Sequence, residues 1–123
     1  MCLYSNQTKP LVTNKDIVCY KILIPIGDKL ITPYRDFVFS TNVIIKDEAE
    51  EHIGEIFGIS EISSGFFHSF TTKEGVLEEI KTLQRKLPKG TKLKVFKAII
   101  PKGSAYYVGQ RSDICSKSLI IVE

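Results

Sequence analysis

The sequence contains none of the short motifs that identify common catalytic and cofactor sites. It has no glycine-rich dinucleotide fingerprint, no phosphate-binding P-loop, no HExxH zinc motif and no GxSxG nucleophile elbow. Only two histidines occur, His52 and His68, and they are far apart in the sequence. The sequence therefore predicts no catalytic residue, no metal site and no cofactor, and it favours a binding protein over an enzyme.

Long apolar runs and a cysteine framework are also lacking. Without a run of about 18 apolar residues, no transmembrane helix is expected. The first residues, MCLYSNQTK, lack the pattern of a secretory signal, which favours a cytoplasmic protein. The three cysteines, Cys2, Cys19 and Cys115, fit neither a zinc spacing nor a CxxC motif. We expect reduced thiols that pack as small apolar residues.

The pattern of apolar residues predicts an α+β fold in a single domain, residues 1–123. We expect a mainly antiparallel sheet of about five to six short strands, with one or two helices packed on one side. The candidate strands are Asp16–Ile24, Leu30–Thr32, Tyr34–Phe39, Thr41–Lys46, Gly65–Phe70, Thr91–Ile100, Ala105–Val108 and Ser118–Val122.

Two segments show helical spacing of their apolar residues. Residues 71–87 place Val76, Leu77, Ile80, Leu83 and Leu87 on one stripe. Thr71 and Glu74 have the spacing of a capping box, and Pro88 and Gly90 follow as stop signals. Residues 47–58, DEAEEHIGEIFG, place Ala49, Ile53, Ile56 and Phe57 on one face, with Asp47 as a cap, although Gly54 weakens a helix.

The charge is unevenly distributed along the chain. Nine basic residues and no acidic one occur between Lys81 and Ser112. The remainder carries eight basic and fourteen acidic residues. This asymmetry indicates either a binding surface for an anion or a solvated basic face without a partner.

Candidate ligand-binding residues combine the basic segment with neighbouring aromatic and hydroxyl groups. Lysines and arginine beside tyrosine rings suit a phosphate and a nucleobase, and GFFHSFTT meets the start of the predicted helix. The set is Lys94, Lys97, Lys102, Tyr106, Tyr107, Arg111, His68 and Ser69. Core packing, a helix cap and an ordinary surface loop remain alternatives for its members. Tyr34, Arg35 and Asp36 form a further polar cluster, in which a surface ion pair is the simpler interpretation.

Three segments resemble those of short uncharacterised proteins of phages and gut bacteria. They are DIVCYKIL at Asp16–Leu23, GFFHSF at Gly65–Phe70 and IPKGSAYYVG at Ile100–Gly109, after the opening MCLYSN. The resemblance implies a phage or mobile-element setting, and hence the host cytosol.

The tail KVFKAIIPKGSAYYVG is also similar to a strand-turn-strand of ADP-ribosyltransferases. That resemblance places Lys21 where the family has arginine and Ser69, Thr71 and Thr72 near its Ser-Thr-Ser motif. It offers no catalytic glutamate at residues 112–119, so it implies nucleotide binding without transfer.

The sequence thus leads to a non-enzymatic binding protein that sequesters a small anionic ligand, such as a nucleotide used in immune signalling. The alternatives are a protein-binding inhibitor of a host enzyme, steered by its basic face, and a degenerate ADP-ribosyltransferase. A net charge of +3 argues against nucleic acid as the partner. The apolar segments Cys2–Tyr4 and Leu119–Val122 could pair with a second copy as edge strands.

Overall fold

A computed structural model describes residues 3–33 and 37–123. Of these residues, 49% lie in strands and 12% in the one described helix. The predicted α+β class is therefore wrong, because the chain is mainly antiparallel β structure with a ten-stranded and a three-stranded sheet. The described strands are β1 Leu3–Ser5, β2 Leu11–Val12, β3 Ile17–Ile26, β4 Lys29–Ile31, β5 Val38–Phe39, β6 Ile44–Lys46, β7 His52–Ile56, β8 Ile59–Ser64, β9 Phe67–Phe70, β10 Lys94–Ile100, β11 Ala105–Val108, β12 Asp113–Ser116 and β13 Ser118–Ile121, and the helix is α1 Lys73–Lys86.

Four strand positions of the larger sheet close into a ring. β12 and β13 are separated by Lys117 alone, so they form one bent strand. The first half pairs with β9 and the second half with β10, and both β9 and β10 pair with β3. We call this closed arrangement of β3, β9, β12–β13 and β10 the strand ring. Because the ring is closed, each of its strands pairs with a neighbour on both sides and has no unpaired backbone edge within the ring.

The inside of the strand ring holds the main core. Alternate residues of each strand face inward, as the period of two requires. The largest cluster of buried apolar side chains contains Cys19, Leu23, Phe39, Phe67, Phe96, Ala98, Ile100, Ile114, Leu119 and Ile121. On β10 the inward residues are thus Phe96, Ala98 and Ile100. Leu93, Val95 and Ile99, which alternate in the same segment, do not belong to this inward face.

Helix α1 packs on the outside of the strand ring against β3 and β9. Val76 and Leu83 are buried beside Ile22 and Phe70. The predicted helix at residues 71–87 is therefore present, but Thr72 caps it by accepting a hydrogen bond from the Gly75 N–H, at 3.1 Å. Thr71, the predicted cap, donates its hydroxyl to the Ser112 carbonyl instead.

The second predicted helix, residues 47–58, is replaced by a β-hairpin. β7 pairs with β8 up to Ile56 and Ile59, and Phe57 and Gly58 form the turn between them with φ of 51° and 78°. Positive φ at both central residues is the signature of a tight hairpin turn that matches strand twist. β1 completes this three-stranded sheet, β1–β8–β7. Leu3 and Ile62 of this sheet pack on Phe66, Tyr107 and Cys115 in a separate core cluster.

Other sequence predictions have mixed outcomes. Most predicted strands are found with shifted ends, whereas β2, β7, β8 and β12 were not predicted. β1 overlaps the possible edge strand Cys2–Tyr4 and pairs with β8. Cys19 and Cys115 are free and buried, as expected, and Cys2 lies outside the described residues. The Tyr34–Asp36 cluster also lies outside them. No helix in the described part of the chain is long and apolar enough to span a membrane.

Candidate functional site

The structure distributes the eight predicted ligand-binding residues over several separate places. Lys94 and Lys97 lie on β10, Lys102 in the turn after it, and Arg111 in the turn between β11 and β12. Tyr106 packs against the core inside the strand ring, while Tyr107 is only 2% exposed and contacts Phe66. His68 and Ser69 lie on β9, with Ser69 buried. These residues do not converge on one pocket.

Two residues of the set, Lys102 and Arg111, have surroundings that do not indicate an anion site. The backbone N–H of Lys102 donates to the Asp16 carboxylate at 2.9 Å, which fastens the β10–β11 turn. Arg111 lines an open groove together with Glu78, Glu79 and Asp113. The groove therefore mixes both signs of charge, which suits an anion less well than a purely basic site.

The solvent-facing side of β3, β10, β13 and β6, which we call the outer face, carries a row of β-branched side chains. Val18 is opposite Ile99, Ile99 is opposite Ile120, and Ile120 is opposite Ile44. Directly opposed residues of antiparallel strands share a face. Val18 is 48% exposed and Ile44 66% exposed. An apolar row of four side chains thus crosses four neighbouring strands in contact with solvent.

Lysines flank this apolar row. Lys97 neighbours Tyr20 in the β3–β10 ladder, Lys46 follows Ile44 on β6, and Lys73 stands at the first turn of α1. All three are exposed. A cleft of about 340 Å³ lies at the edge of the outer face, lined by Tyr20, Lys73, Val76, Leu77, Val95 and Lys97. Among the described residues, those lining this cleft include no carboxylate.

A second, more enclosed site lies where β3 and β9 separate. These two strands pair only at Tyr20 and Phe70. Beyond that pair the ladder opens, and a cavity of about 240 Å³, which we call the gap cavity, occupies the space. Its wall is formed by Lys21, Ile22, Thr32, Pro33, Ser63, Ser64, Phe66, Phe67, His68, Phe70, Glu79 and Leu83.

Lys21 is the charged group on this wall that lies deepest in the fold. It shares the inward face of β3 with Cys19 and Leu23, and only 7% of its surface is exposed. Its ammonium donates a hydrogen bond to the His68 carbonyl and lies 5.8 Å from the centre of the Phe39 ring. Burying an ammonium is costly in free energy unless polar and aromatic groups compensate it. The His68 carbonyl and the Phe39 ring do so here, and Lys21 thus brings a basic group to the wall of the cavity.

The buried thiols have no features of a reactive cysteine. Burial raises the pKa of Cys19 to about 11, although the hydroxyl of Ser69 beside it acts in the opposite direction. Burial likewise raises the pKa of Cys115 to about 12. Nucleophilic cysteines instead have lowered pKa values in electropositive, accessible surroundings. These two thiols therefore serve the core.

The positions that the sequence comparison aligned with ADP-ribosyltransferase motifs lie on different strands: Lys21 on β3, Ser69 on β9 and residues 113–119 on β12–β13. The carboxylate of Asp113 accepts a hydrogen bond from the Arg111 N–H, at 3.1 Å, within its own turn. No cluster of three His, Cys, Asp or Glu side chains that could hold a metal ion occurs in the described ranges.

Comparisons with protein-family models, with curated proteins and with solved structures find no match to this chain. Function is therefore inferred from the outer face and the gap cavity themselves. Sequence reasoning identified Lys97 and His68 but not their surroundings, because the neighbours of each strand are set by pairing between distant segments. Lys21 was named only in the comparison with ADP-ribosyltransferases and was not among the predicted ligand-binding residues.

Proposed function

We propose that this protein is a non-enzymatic binding protein that captures an acidic partner protein on its outer face. The observation that carries the proposal is the apolar row Val18, Ile99, Ile120 and Ile44, flanked by Lys97 and other lysines. Its ends Val18 and Ile44 are exposed, and Ile99 and Ile120 between them are half-buried. The sheet side turned to water is usually polar in an antiparallel fold. An apolar row there supports a role in recognition.

The arrangement matches the usual anatomy of a protein interface. Interfaces place apolar side chains at the centre and charged ones at the rim. Here the β-branched row supplies the centre, and Lys46, Lys73 and Lys97 supply a basic rim. A basic rim accelerates association with an acidic surface and suppresses binding to basic ones. The proposed partner therefore presents an apolar centre surrounded by carboxylates, as an inhibited host enzyme would.

A second copy of this chain fits the outer face less well. A two-fold contact brings the same patch of both subunits together. The three lysines of one copy would then lie near those of the other, and like charges in an interface are destabilising. Charge complementarity thus favours a different, acidic protein.

The test is a pull-down from bacterial lysate with three forms of the protein. Val18→Glu/Ile44→Glu changes two exposed positions of the outer face, and Val108→Glu is the matched control because Val108 is 44% exposed on β11. We expect the unchanged protein and the control to retain one acidic protein stoichiometrically, and the double variant to lose it. Rising salt should weaken capture because exposed charges are screened.

Equal retention by the double variant, or no retained protein at all, contradicts the proposal. Light scattering of the pure protein supplies the second arm of the test. A dimer that the double variant abolishes would assign the outer face to self-association instead.

A small anionic ligand, such as a nucleotide, is the second candidate, and the cleft at Tyr20, Lys73 and Lys97 favours it. Two lysines without a carboxylate suit a phosphate, and the Tyr20 ring suits a base. Sequestration of this kind needs no catalytic group. A thermal-shift screen with NAD, ADP-ribose and linear and cyclic nucleotides tests it. A shift abolished by Lys97→Met would support it, and a flat screen would exclude it.

A further inference from the structure

The gap cavity is separate from the outer face. It is bounded by the strand ring on one side and by Glu79 and Leu83 of α1 on the other. It is a pocket of about 240 Å³, open to solvent, beside the single pairing of β3 and β9. Concave pockets lined mainly by apolar and aromatic side chains with a few polar groups are the usual form of small-ligand sites.

Aromatic side chains dominate the apolar part of the wall. Phe66, Phe67 and Phe70 all line the cavity, and each is less than 9% exposed. Such rings receive another ring in offset or edge-to-face contact. A dry cavity of roughly 150 Å³ already accommodates benzene. The gap cavity thus has room for one substituted aromatic ring.

The polar part of the wall is built around Lys21, a largely buried basic side chain. His68 lies on the same wall. Ser63 and Ser64 come from the end of β8, where their hydroxyls donate to the His52 and Glu50 carbonyls. Glu79 of α1 is the carboxylate among the described lining residues. The buried charge is positive, and Glu79 is the more exposed of the two charged groups.

We propose that the gap cavity binds a small aromatic anion, whose ring contacts the three phenylalanines and whose acidic group pairs with Lys21. A carboxylate or a phosphate satisfies the same chemistry. A charge-assisted hydrogen bond in such a low-dielectric site is stronger than one between neutral groups. The site therefore discriminates an acid from its neutral amide.

Titration calorimetry with four named anions and two matched analogues tests this. The anions are benzoate, indole-3-carboxylate, AMP and UMP, and the analogues are benzamide, which is neutral, and benzylamine, which is cationic. We expect benzoate to bind about tenfold or more tightly than benzamide, as a hydrogen bond to a charged group implies. Binding by the carboxylates alone or by the nucleotides alone identifies the source of the anion.

Three substitutions locate the binding. Lys21→Met should reduce affinity about tenfold or more, whereas Lys81→Met, at an exposed position of α1 outside the described clefts, should leave it unchanged. Glu79→Gln should raise affinity, because a negative charge on the wall is removed, and Glu78→Gln, outside this cavity, is its control. Ser63→Tyr changes an exposed position at the wall and should block entry without touching Lys21.

We expect Lys21→Met to lower the affinity and Glu79→Gln to raise it, and this pair of opposite effects is specific to an anionic ligand. Equal affinity for benzoate and benzamide overturns the proposal, and so does a Glu79→Gln variant that binds benzoate more weakly. Failure of all four anions to bind at millimolar concentration overturns it as well. If Lys21→Met does not fold, Glu79→Gln and Ser63→Tyr still decide the question.

Discussion

The Lys21 ammonium donates a hydrogen bond to the backbone carbonyl of His68, across the point where β3 and β9 separate. In an unbroken ladder this carbonyl would accept from a backbone N–H of the neighbouring strand. The lysine side chain supplies that donor from β3 itself. One residue thus both satisfies the opened ladder and places a positive charge on the wall of the gap cavity.

Lys21→Met is expected to lower the free energy of unfolding by about 1–3 kcal/mol, because it leaves the His68 carbonyl without this donor. Methionine keeps a similar length and an apolar stem, so the change isolates the ammonium. Lys97→Met is the matched control on the exposed side of β10, and we expect it to stay within about 0.5 kcal/mol.

Urea unfolding of the three proteins measures both values. A buried charge is costly, and replacing it with an apolar side chain can be neutral. If Lys21→Met is as stable as the unchanged protein, the hydrogen bond does not compensate the burial of the lysine, and the proposed structural role fails.

The parts of the fold that the sequence predicts are those determined by local periodicity. Helix α1 follows from one apolar stripe and from the stop signals at Pro88 and Gly90. β3 and β10 follow from dense β-branched residues between turn signals. The helix predicted for residues 47–58 is wrong because the spacing of Ile53 and Ile56 fits a helical stripe as well as a strand. The turn at Phe57 and Gly58 is evident only from their positive φ angles in the structure.

The strand ring and both proposed binding sites depend on pairings between distant segments. Ring closure requires a bend at Lys117, which lets one strand pair in two ladders, and no local sequence pattern indicates this bend. The apolar row of the outer face extends from β3 and β10 to Ile44, which is more than 50 residues before Lys97 in the chain, and only the β13–β6 ladder shows this.

The β7–β8 turn offers a stabilising substitution at Phe57. This residue is fully exposed and has a φ of 51°, in the left-handed region that costs most side chains about 1–2 kcal/mol. Asparagine tolerates this conformation, and Asn-Gly is the favoured pair for such a turn. We therefore expect Phe57→Asn to raise the free energy of unfolding by about 1 kcal/mol.

Phe57→Ala is the matched control for this turn, because it removes the ring while retaining the same backbone preference as most residues. Its stability should stay close to that of the unchanged protein. Thermal and urea unfolding of both variants provide the comparison. If alanine stabilises as much as asparagine, the gain comes from removing an exposed ring and the backbone argument is wrong.

The two buried thiols predict a loss of stability in alkaline solution. The pKa of Cys19 is raised by burial from 9.0 to about 11, and that of Cys115 from 9.0 to about 12. Between pH 9 and 11 the unfolded chain therefore loses thiol protons that the folded chain keeps. Since the unfolded state binds fewer protons, the free energy of unfolding falls as pH rises, by up to about 1.4 kcal/mol per pH unit for each thiol.

Urea unfolding under reducing conditions at pH 8, 9 and 10 measures this slope. The Cys19→Ala/Cys115→Ala variant will be less stable at every pH, because it loses buried volume. Its slope is the informative quantity, and it should be shallower because the two thiols no longer contribute. Burial also raises the pKa of Tyr107, and the neighbouring Cys115 adds to that rise. The Cys115 contribution is absent from the variant, which makes its slope shallower still. Parallel slopes would mean that the thiols ionise alike in the folded and unfolded chains, contrary to their burial inside the core.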